Sequence, residues 1–459
     1  MSETANVDVA ELIERQPLSR FTLGLIGAAW LVTFFDGFDM TVISFTSKAL
    51  IHAFTLTPVM LGNVFAAAIF GALVGALALG WVGDRIGRRP AIMISTSAFG
   101  LLTIATVLAQ SYTQLLLLRF VAGVALGGAI PLVWALTVEF VPKQFRARIV
   151  TIIMLGFGFG VTLCGPVARL ILPPYGWQGV FWFAGLASLA ATAVLFVFLP
   201  ESVRYLTSRG APPARIARVL KRMAPTAALP EGASFHLSDE PRKARKVDPL
   251  ALFAGELKFI TPLIWIGFIA SSLSTYFFTT WGPLVLEDLG FSADHAAWLT
   301  AANSICGAIG GLTIMSFTDR RGALSIAVLP AVAVPLLLIA GLVPMGLTVF
   351  LMLSLLLSLF LGGSHYAVQS IISGFYPSNL RGAGSGWAGS IAKIGSVSAP
   401  LIGGAVLSTH LPVKNTYALL AVCPLILGAC VVAIGLIDRR MRREAGAVAP
   451  SPAPALAAE

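Results

Sequence analysis

Residues 323–380 contain no Asp, Glu, Lys or Arg. Similar charge-free runs recur at Ala49–Gly83, Pro90–Leu118, Leu170–Pro200 and Phe259–Leu286. Runs of this length constrain a chain more than any motif. In a bilayer they must be helical, because a helix satisfies its own backbone hydrogen bonds. About 20 apolar residues cross the hydrocarbon core, so several runs hold one helix and the run at 323–380 holds two. Twelve spans are expected, near 21–47, 58–80, 91–110, 113–140, 148–171, 178–199, 259–282, 294–317, 324–342, 346–373, 383–408 and 415–437. With 57% hydrophobic and 11% charged residues, the composition is too apolar for a soluble protein. The ten-residue alternation of a transmembrane β-barrel is missing. The first twenty residues are polar and lack the apolar core of a cleavable signal peptide. The expected class is all-α integral membrane, with twelve transmembrane helices.

The net charge of +10 raises nucleic acid as a partner, but its distribution argues for topology instead. With an even number of spans, 26 of the 31 Lys and Arg residues fall on one side. Lys48, Arg169 and Lys414 lie opposite, and Arg119 and Lys393 fall within spans. This bias expects both termini in the cytoplasm. Cys164, Cys306, Cys423 and Cys430 all fall inside spans and suit small apolar packing positions, not a disulfide framework. No metal-ligand cluster, nucleophile-and-base pattern or phosphate loop suggests an enzyme or a bound cofactor.

The chain repeats itself. Asp84-Arg85-Ile86-Gly87 follows span 2, and Asp319-Arg320-Arg321-Gly322 follows span 8, 235 residues later. Pro142 to Arg146 follows span 4, and Pro377 to Arg381 follows span 10, in the same register. Two parallel six-helix halves are a transporter signature. The expected organisation is an N-tail at 1–20, a six-helix bundle at 21–199 and a basic linker at 200–258. A second bundle follows at 259–438, then an Ala/Pro-rich tail at 439–459. An amphipathic helix is expected at 212–224 within the linker.

Three stretches carry a family likeness. "GWVGDRIGRRP" (80–90) resembles the 2–3 loop motif of the major facilitator superfamily. "PESVRYL" (200–206) resembles the motif after helix 6 in its sugar- and organic-acid-transporting branches. "DGFD" in span 1 resembles the signature of the aromatic acid:H+ symporter family. The resemblance covers about 18–440. It implies uptake of small aromatic carboxylates such as hydroxybenzoates across the bacterial inner membrane. The proton gradient would drive it, and the protein would be a monomeric rocker-switch transporter. In that family the helix-1 aspartates and the helix-4 arginine matter for transport; they match Asp36, Asp39 and Arg119. Glu139 and Arg381 match the acid ending helix 4 and the arginine of the 10–11 loop. The family often has arginine in helix 11, where this chain has Lys393, a point charge and not a bidentate fork.

The intramembrane charges support a transport site independently. A charge at the bilayer centre costs roughly 2.5–3.5 kcal/mol even on the lenient insertion scale. Asp36 and Asp39 are three residues apart, so they share a helix face, and Gly37 between them lets another backbone come close. Desolvation and mutual repulsion favour the neutral acid, the property that a proton-coupling pair needs. The alternative is a buried structural ion pair with Arg119 or Lys393. Adding 235 gives Ser271 and Ser274, so the second half carries no such acids. Arg119 lies on a small-residue face with Gly123, Leu126, Gly127, Ile130 and Thr137, suited to close packing or a cavity wall. Arg119 and Lys393 are each candidates for the substrate carboxylate or for pairing with an aspartate.

Span 10 carries a polar stripe of Ser354, Ser358, Gly362, His365 and Gln369, which must face the interior. His365 and Gln369 are candidates for a ring hydroxyl. Trp134, Tyr276, Phe277 and Trp387 are candidates for stacking on a substrate ring. Trp177, Trp182, Trp281 and Trp298 lie near span ends and suit the interfacial belt. Asp84, Arg85, Arg88, Glu139 and Arg146, with Asp319, Arg320 and Arg381 in the repeat, would form a gate of pairs that break on inward opening. A proton-driven exporter is the rival: "GFGFGVTLCGP" (156–166) partly resembles the antiporter helix-5 motif, although Val167-Ala168-Arg169 follow. A membrane sensor would want a larger soluble domain than the 200–258 loop.

Overall fold

The protein is described from a computed structural model that covers residues 6–224, 233–238, 249–321, 323–376, 380–409 and 411–448. A short helix α1 (Val9–Arg15) opens the chain, capped by Asp8, which accepts the Ala10 N–H at 3.0 Å. α2 (Arg20–Phe54) is capped by Ser19. α3 (Pro58–Ile86) starts on a Thr57 cap with Pro58 in its first turn, where a missing N–H costs nothing. Only Gly87 separates it from α4 (Arg88–Ala105); its φ of +103° suits glycine and few other residues. α5 (Tyr112–Gly127) and α6 (Ala129–Glu139) together make the fourth span.

α7 (Lys143–Phe198) is 56 residues long, more than twice what one crossing needs. It breaks at Gly176 (φ +66°, ψ −173°), just after Pro173 and Pro174, which offer no backbone N–H. α7 therefore supplies spans 5 and 6, and the eleven long apolar helices among the described residues provide twelve crossings. α8 (Val203–Ser208) and α9 (Pro213–Met223) follow. α9 is the amphipathic helix expected at 212–224: Ile216, Leu220 and Met223 are buried, and its arginines and lysine are exposed. The second set is α10 (Leu257–Asp288), α11 (Ala293–Arg321), α12 (Val328–Leu342) and α13 (Leu347–Phe375), then α14 (Arg381–Leu407). α15 (Asn415–Leu420) and α16 (Val422–Val448) form the last span. One feature had no signal in the sequence, a parallel pairing of β1 (Asn6–Asp8) with β2 (Ser234–His236).

The 235-residue offset reappears in the helix packing. Gly75 meets the Val124 carbonyl and Gly310 meets that of Leu359; Gly127 packs on Ala72 and Gly362 on Gly307; Gly160 meets the Phe34 carbonyl and Gly395 that of Ile269. In each pair both partners shift by the same 235 positions. Small residues therefore recur where two backbones touch, the usual device for packing helices in lipid.

The molecule divides into two compact units. Met1–Arg245, Phe277–Ile305 and Val397–Val413 form the first; Lys246–Tyr276, Cys306–Ser396 and Lys414–Glu459 form the second. The core of the first joins Leu25, Ala29 and Val32 of α2 to Ile92 of α4, Leu136 of α6, Ile153 of α7 and Leu220 of α9. That of the second joins Ile264 and Phe268 of α10 to Val368 of α13, Ala392 of α14 and Val431 of α16. Trp182 and Trp298 are exposed as the belt requires, but Trp177 and Trp281 are buried. Trp177 packs between Phe54 and Phe181, and Trp281 packs on Phe65. A position near a span end puts a ring at interfacial depth; which way the helix face points then decides whether it meets lipid or protein.

Candidate functional site

In the first unit α2 carries Asp39 against Arg119 of α5. The Arg119 Nη2 donates to Asp39 Oδ2 at 2.7 Å. Asp39 is 7% exposed and Arg119 only 1%, so the pair stands out of water. The guanidinium also lies 5.7 Å from the Phe181 ring. Their hydrogen-bonding capacity is only partly used. Oδ1 of Asp39 and Nε and Nη1 of Arg119 are buried with no hydrogen-bond partner among the described residues. A guanidinium has five N–H donors, so this site keeps donors in hand for a second anion. Gly123 and Gly127, expected on the Arg119 face, pack on the Ala68 and Ala72 backbone of α3. That face is close packing.

Asp36 is half-buried one turn earlier. Gly37 between the two acids lies directly on the Phe157 carbonyl of α7, and Gly160 lies on that of Phe34. Two glycines of "GFGFG", Gly156 against Trp30 and Gly160 against Phe34, thus seat α2, while Gly158 faces open space. One turn beyond Gly160 lies the buried Cys164, and the Thr41 hydroxyl of α2 donates to the Gly37 carbonyl at 3.1 Å. Trp134 is half-buried against the core with its indole N–H unpaired among the described residues.

In the second unit His365 of α13 meets Ser271 of α10, with Nδ1 and Oγ 3.0 Å apart. Ser271 stands where the repeat replaces Asp36. Phe268 lies 5.8 Å from the imidazole, and Lys393 of α14 is within electrostatic reach of it. Trp387 stacks on Trp265 at 6.3 Å and is 45% exposed. Tyr276 is half-buried. Phe277 is buried and belongs to the first unit, packed edge-on to Phe278. The side chain of Gln369 lies outside the described residues.

The basic end of the first unit holds the expected gate acids and arginines and adds Glu14, Glu201 and Ser202, which the sequence did not suggest as partners. Arg88 forms a short ion pair with Glu139, and the Ser202 hydroxyl donates to the other Glu139 oxygen. Glu201 Oε1 accepts three backbone N–H groups, from Arg88 at 3.0 Å, Arg89 at 3.2 Å and Ser202 at 3.0 Å. Glu201 and Ser202 lie inside "PESVRYL", so the motif was the available signal. Arg146 donates to the Val141 carbonyl at 3.0 Å and lies 3.7 Å from Glu14 of α1; nothing local in the sequence marks Glu14. Asp84 and Arg85 are exposed, and Arg85 stacks 3.6 Å over Trp81. Arg381 is exposed at the start of α14. The side chains of Asp319 and Arg320 lie outside the described residues.

A duplicated helical membrane protein with a buried ion pair at its core has the build of a secondary transporter. Residues 29–292 and 264–458 match the family described as the Major Facilitator Superfamily. A gallate transporter of Pseudomonas putida is 31% identical over 459 residues, covering 97% of this chain and 98% of the relative. A 4-hydroxybenzoate transporter of Pseudomonas aeruginosa is 29% identical, covering 94% and 96%. A crystal structure of a bacterial homologue of the human lysosomal transporter Spinster shares the fold, with TM-score 0.69 and 16% identity, covering 95% of this chain and 100% of that one. The chain belongs to the major facilitator superfamily, in its aromatic acid:H+ symporter family. It is a multi-pass membrane transporter and not an enzyme.

Proposed function

We propose that this protein imports aromatic carboxylates together with protons, by alternating access, with its basic loops and both termini on the cytoplasmic side of a bacterial inner membrane. The relatives named for gallate and 4-hydroxybenzoate support the substrate class. One observation carries the mechanism: Arg119 and Asp39 are paired, buried and incompletely bonded. A substrate carboxylate that reaches Arg119 competes with Asp39 for the guanidinium. Charge-assisted bonds of this kind are strong where water is excluded. An aspartate that loses its cation in such a place takes up a proton. Substrate binding and proton binding then favour each other, which is the thermodynamic content of symport. Asp36, one turn away, shares the proton load. Within the second unit Lys393 and His365, with Ser271 on the imidazole, form a polar cluster of their own. The Arg88–Glu139 pair, with Glu201 and Ser202 around it, acts as the cytoplasmic gate.

The exporter reading drew on the glycines of α7. Packing on α2 accounts for Gly156, Gly160 and Gly165, whereas Gly158 faces open space, and Val167-Ala168-Arg169 stand where the antiporter motif would continue. The test is uptake into proteoliposomes with an imposed pH gradient, across a panel of aromatic acids. Uphill accumulation of one acid under an inward proton gradient, lost in Asp39→Asn, is the expected result. Efflux of other solutes without uptake of any acid would overturn the proposal.

A further inference from the structure

The end of the first unit remote from the basic loops brings α2, α3 and α7 against the ends of α10, α11 and α14 that belong to the same unit. At the centre, the Ser44 hydroxyl of α2 donates to the Thr279 carbonyl of α10 at 3.0 Å. These two positions are 235 residues apart, so they are equivalents under the repeat and mark its pseudo-two-fold axis. Two seams flank that axis, and the repeat relates one to the other. Their chemistry differs.

The first seam joins α3 to α14. A Cβ on Gly62 would lie 2.5 Å from the Pro400 carbonyl oxygen, and one on Gly404 would lie 2.7 Å from that of Pro58. The backbones touch with no side chain between them. Trp281, fully buried, closes the seam: its indole donates to the Pro400 carbonyl at 3.3 Å and its ring packs on Phe65 at 5.5 Å. The second seam joins α7 to α11. Gly165 approaches the Ala297 carbonyl less closely, with its Cβ position at 3.2 Å. Arg169 takes the place equivalent to Gly404, and Asp294 that of Val59. They form a two-armed ion pair, Nη2 to Oδ2 at 3.0 Å, with side chains 40% and 53% exposed. Beside the axis Lys48 of α2 reaches Glu287 at 3.2 Å and Asp288 at 3.3 Å. The repeat has no counterpart for this clamp, because position 283 is proline.

The two seams differ in what it takes to part them. An exposed ion pair exchanges its partner for water at little cost. Interlocked backbones around a buried tryptophan have no such substitute, since parting them leaves apolar surface and a buried N–H unmatched. We propose that this end opens asymmetrically. α3 and α14 stay packed as a hinge, while the ion pairs of Arg169 with Asp294 and of Lys48 with Glu287 and Asp288 form the latch that breaks. On the proposed orientation the latch is the periplasmic closure, but the inference stands on the seam chemistry whichever solute is carried.

The test measures distances between paired spin labels in the purified, lipid-reconstituted protein, with the four native cysteines replaced by alanine. One pair, Leu170→Cys with Trp298→Cys, reports the latch. The other, Val59→Cys with Ile402→Cys, reports the hinge. All four sites are exposed. Adding Lys48→Ala and Arg169→Ala is expected to give the latch pair a second, longer distance and leave the hinge pair unchanged. High salt is expected to do the same to the parent, because exposed pairs are screened. Exchanging the charges, Arg169→Asp with Asp294→Arg and Lys48 intact, is expected to keep the short latch distance. Equal lengthening of both pairs, or no lengthening of either, would overturn the proposal.

Discussion

The Asp39–Arg119 pair permits a prediction that separates a transport role from a structural one. Both side chains are buried and share a 2.7 Å bond, so solvent does not discount it. Removing one partner of such a pair costs about 3–5 kcal/mol, because the other is left charged and alone. The two single variants should not behave alike. Asp39→Leu strands a guanidinium, which cannot give up its proton. Arg119→Met strands a carboxyl, which can take one up. Neutralising an ordinary carboxyl at pH 7 costs about 4 kcal/mol, and the cost falls by about 1.4 kcal/mol for each unit of pH. The stability deficit of Arg119→Met should therefore shrink from pH 7 to pH 5, and that of Asp39→Leu should not. The double variant removes both charges and should recover most of the loss, as buried ion pairs replaced by apolar groups often do. The assay is a denaturant titration of the four proteins, alongside uptake in proteoliposomes. Stability should return in the double variant while uphill accumulation stays absent. If accumulation returns together with stability, the pair is structural and the coupling residue lies elsewhere. If neither single variant is destabilised, the pair is not held out of water.

Three further outcomes follow from the geometry. Gly37→Ala forces a methyl group into the Phe157 carbonyl; overpacking of this kind costs about 1–3 kcal/mol, to be read as a lower denaturation midpoint, whereas Gly27→Ala, with open space beside it, should be silent. Glu139→Gln keeps the shape of the gate residue but removes the charge facing Arg88; transport rate should change while equilibrium substrate binding stays within about twofold, measured by stopped-flow uptake and by titration. At Asp8, burial pushes the carboxyl up, but the Ser238 and Ala10 hydrogen bonds outweigh it and hold it below the usual carboxylate range. Its contribution to the β1–β2 pairing is present above the ordinary aspartate value of about 3.9 and fades as the pH falls through the lowered one. Hydrogen exchange at the Ala10 amide should lose protection in that acid window and in Asp8→Ala at neutral pH.

Span number was legible because it depends on chain composition alone: a run of about 20 apolar residues crosses the membrane wherever it lies. The break in α7 was equally local, written in Pro173, Pro174 and Gly176. So was the amphipathic α9, whose 3.6-residue period sorts its own faces. The 235-residue register was visible in two loop motifs and returns in the glycine contacts of both units. Partner identity was not legible. Asp36 and Asp39 share a helix face, and nothing in their spacing says that Asp39 pairs with Arg119, 80 residues away. Trp281 had the address of an interfacial residue and is buried. Glu14 and Glu201 sit in segments whose partners lie more than 100 residues off in sequence.

The sequence by itself determined the number and length of the helices, the side that carries the positive charge, and the residues that are costly enough in lipid to need a partner. Each of these follows from the free energy of a residue in water, lipid or a helix, a property carried by the segment alone. Tertiary structure decided which acid holds Arg119, which seam is glycine and which is ion pair, and which tryptophan faces protein. Those depend on the rotation and approach of neighbouring helices, where a shift of one residue replaces a hydrogen bond with an empty contact.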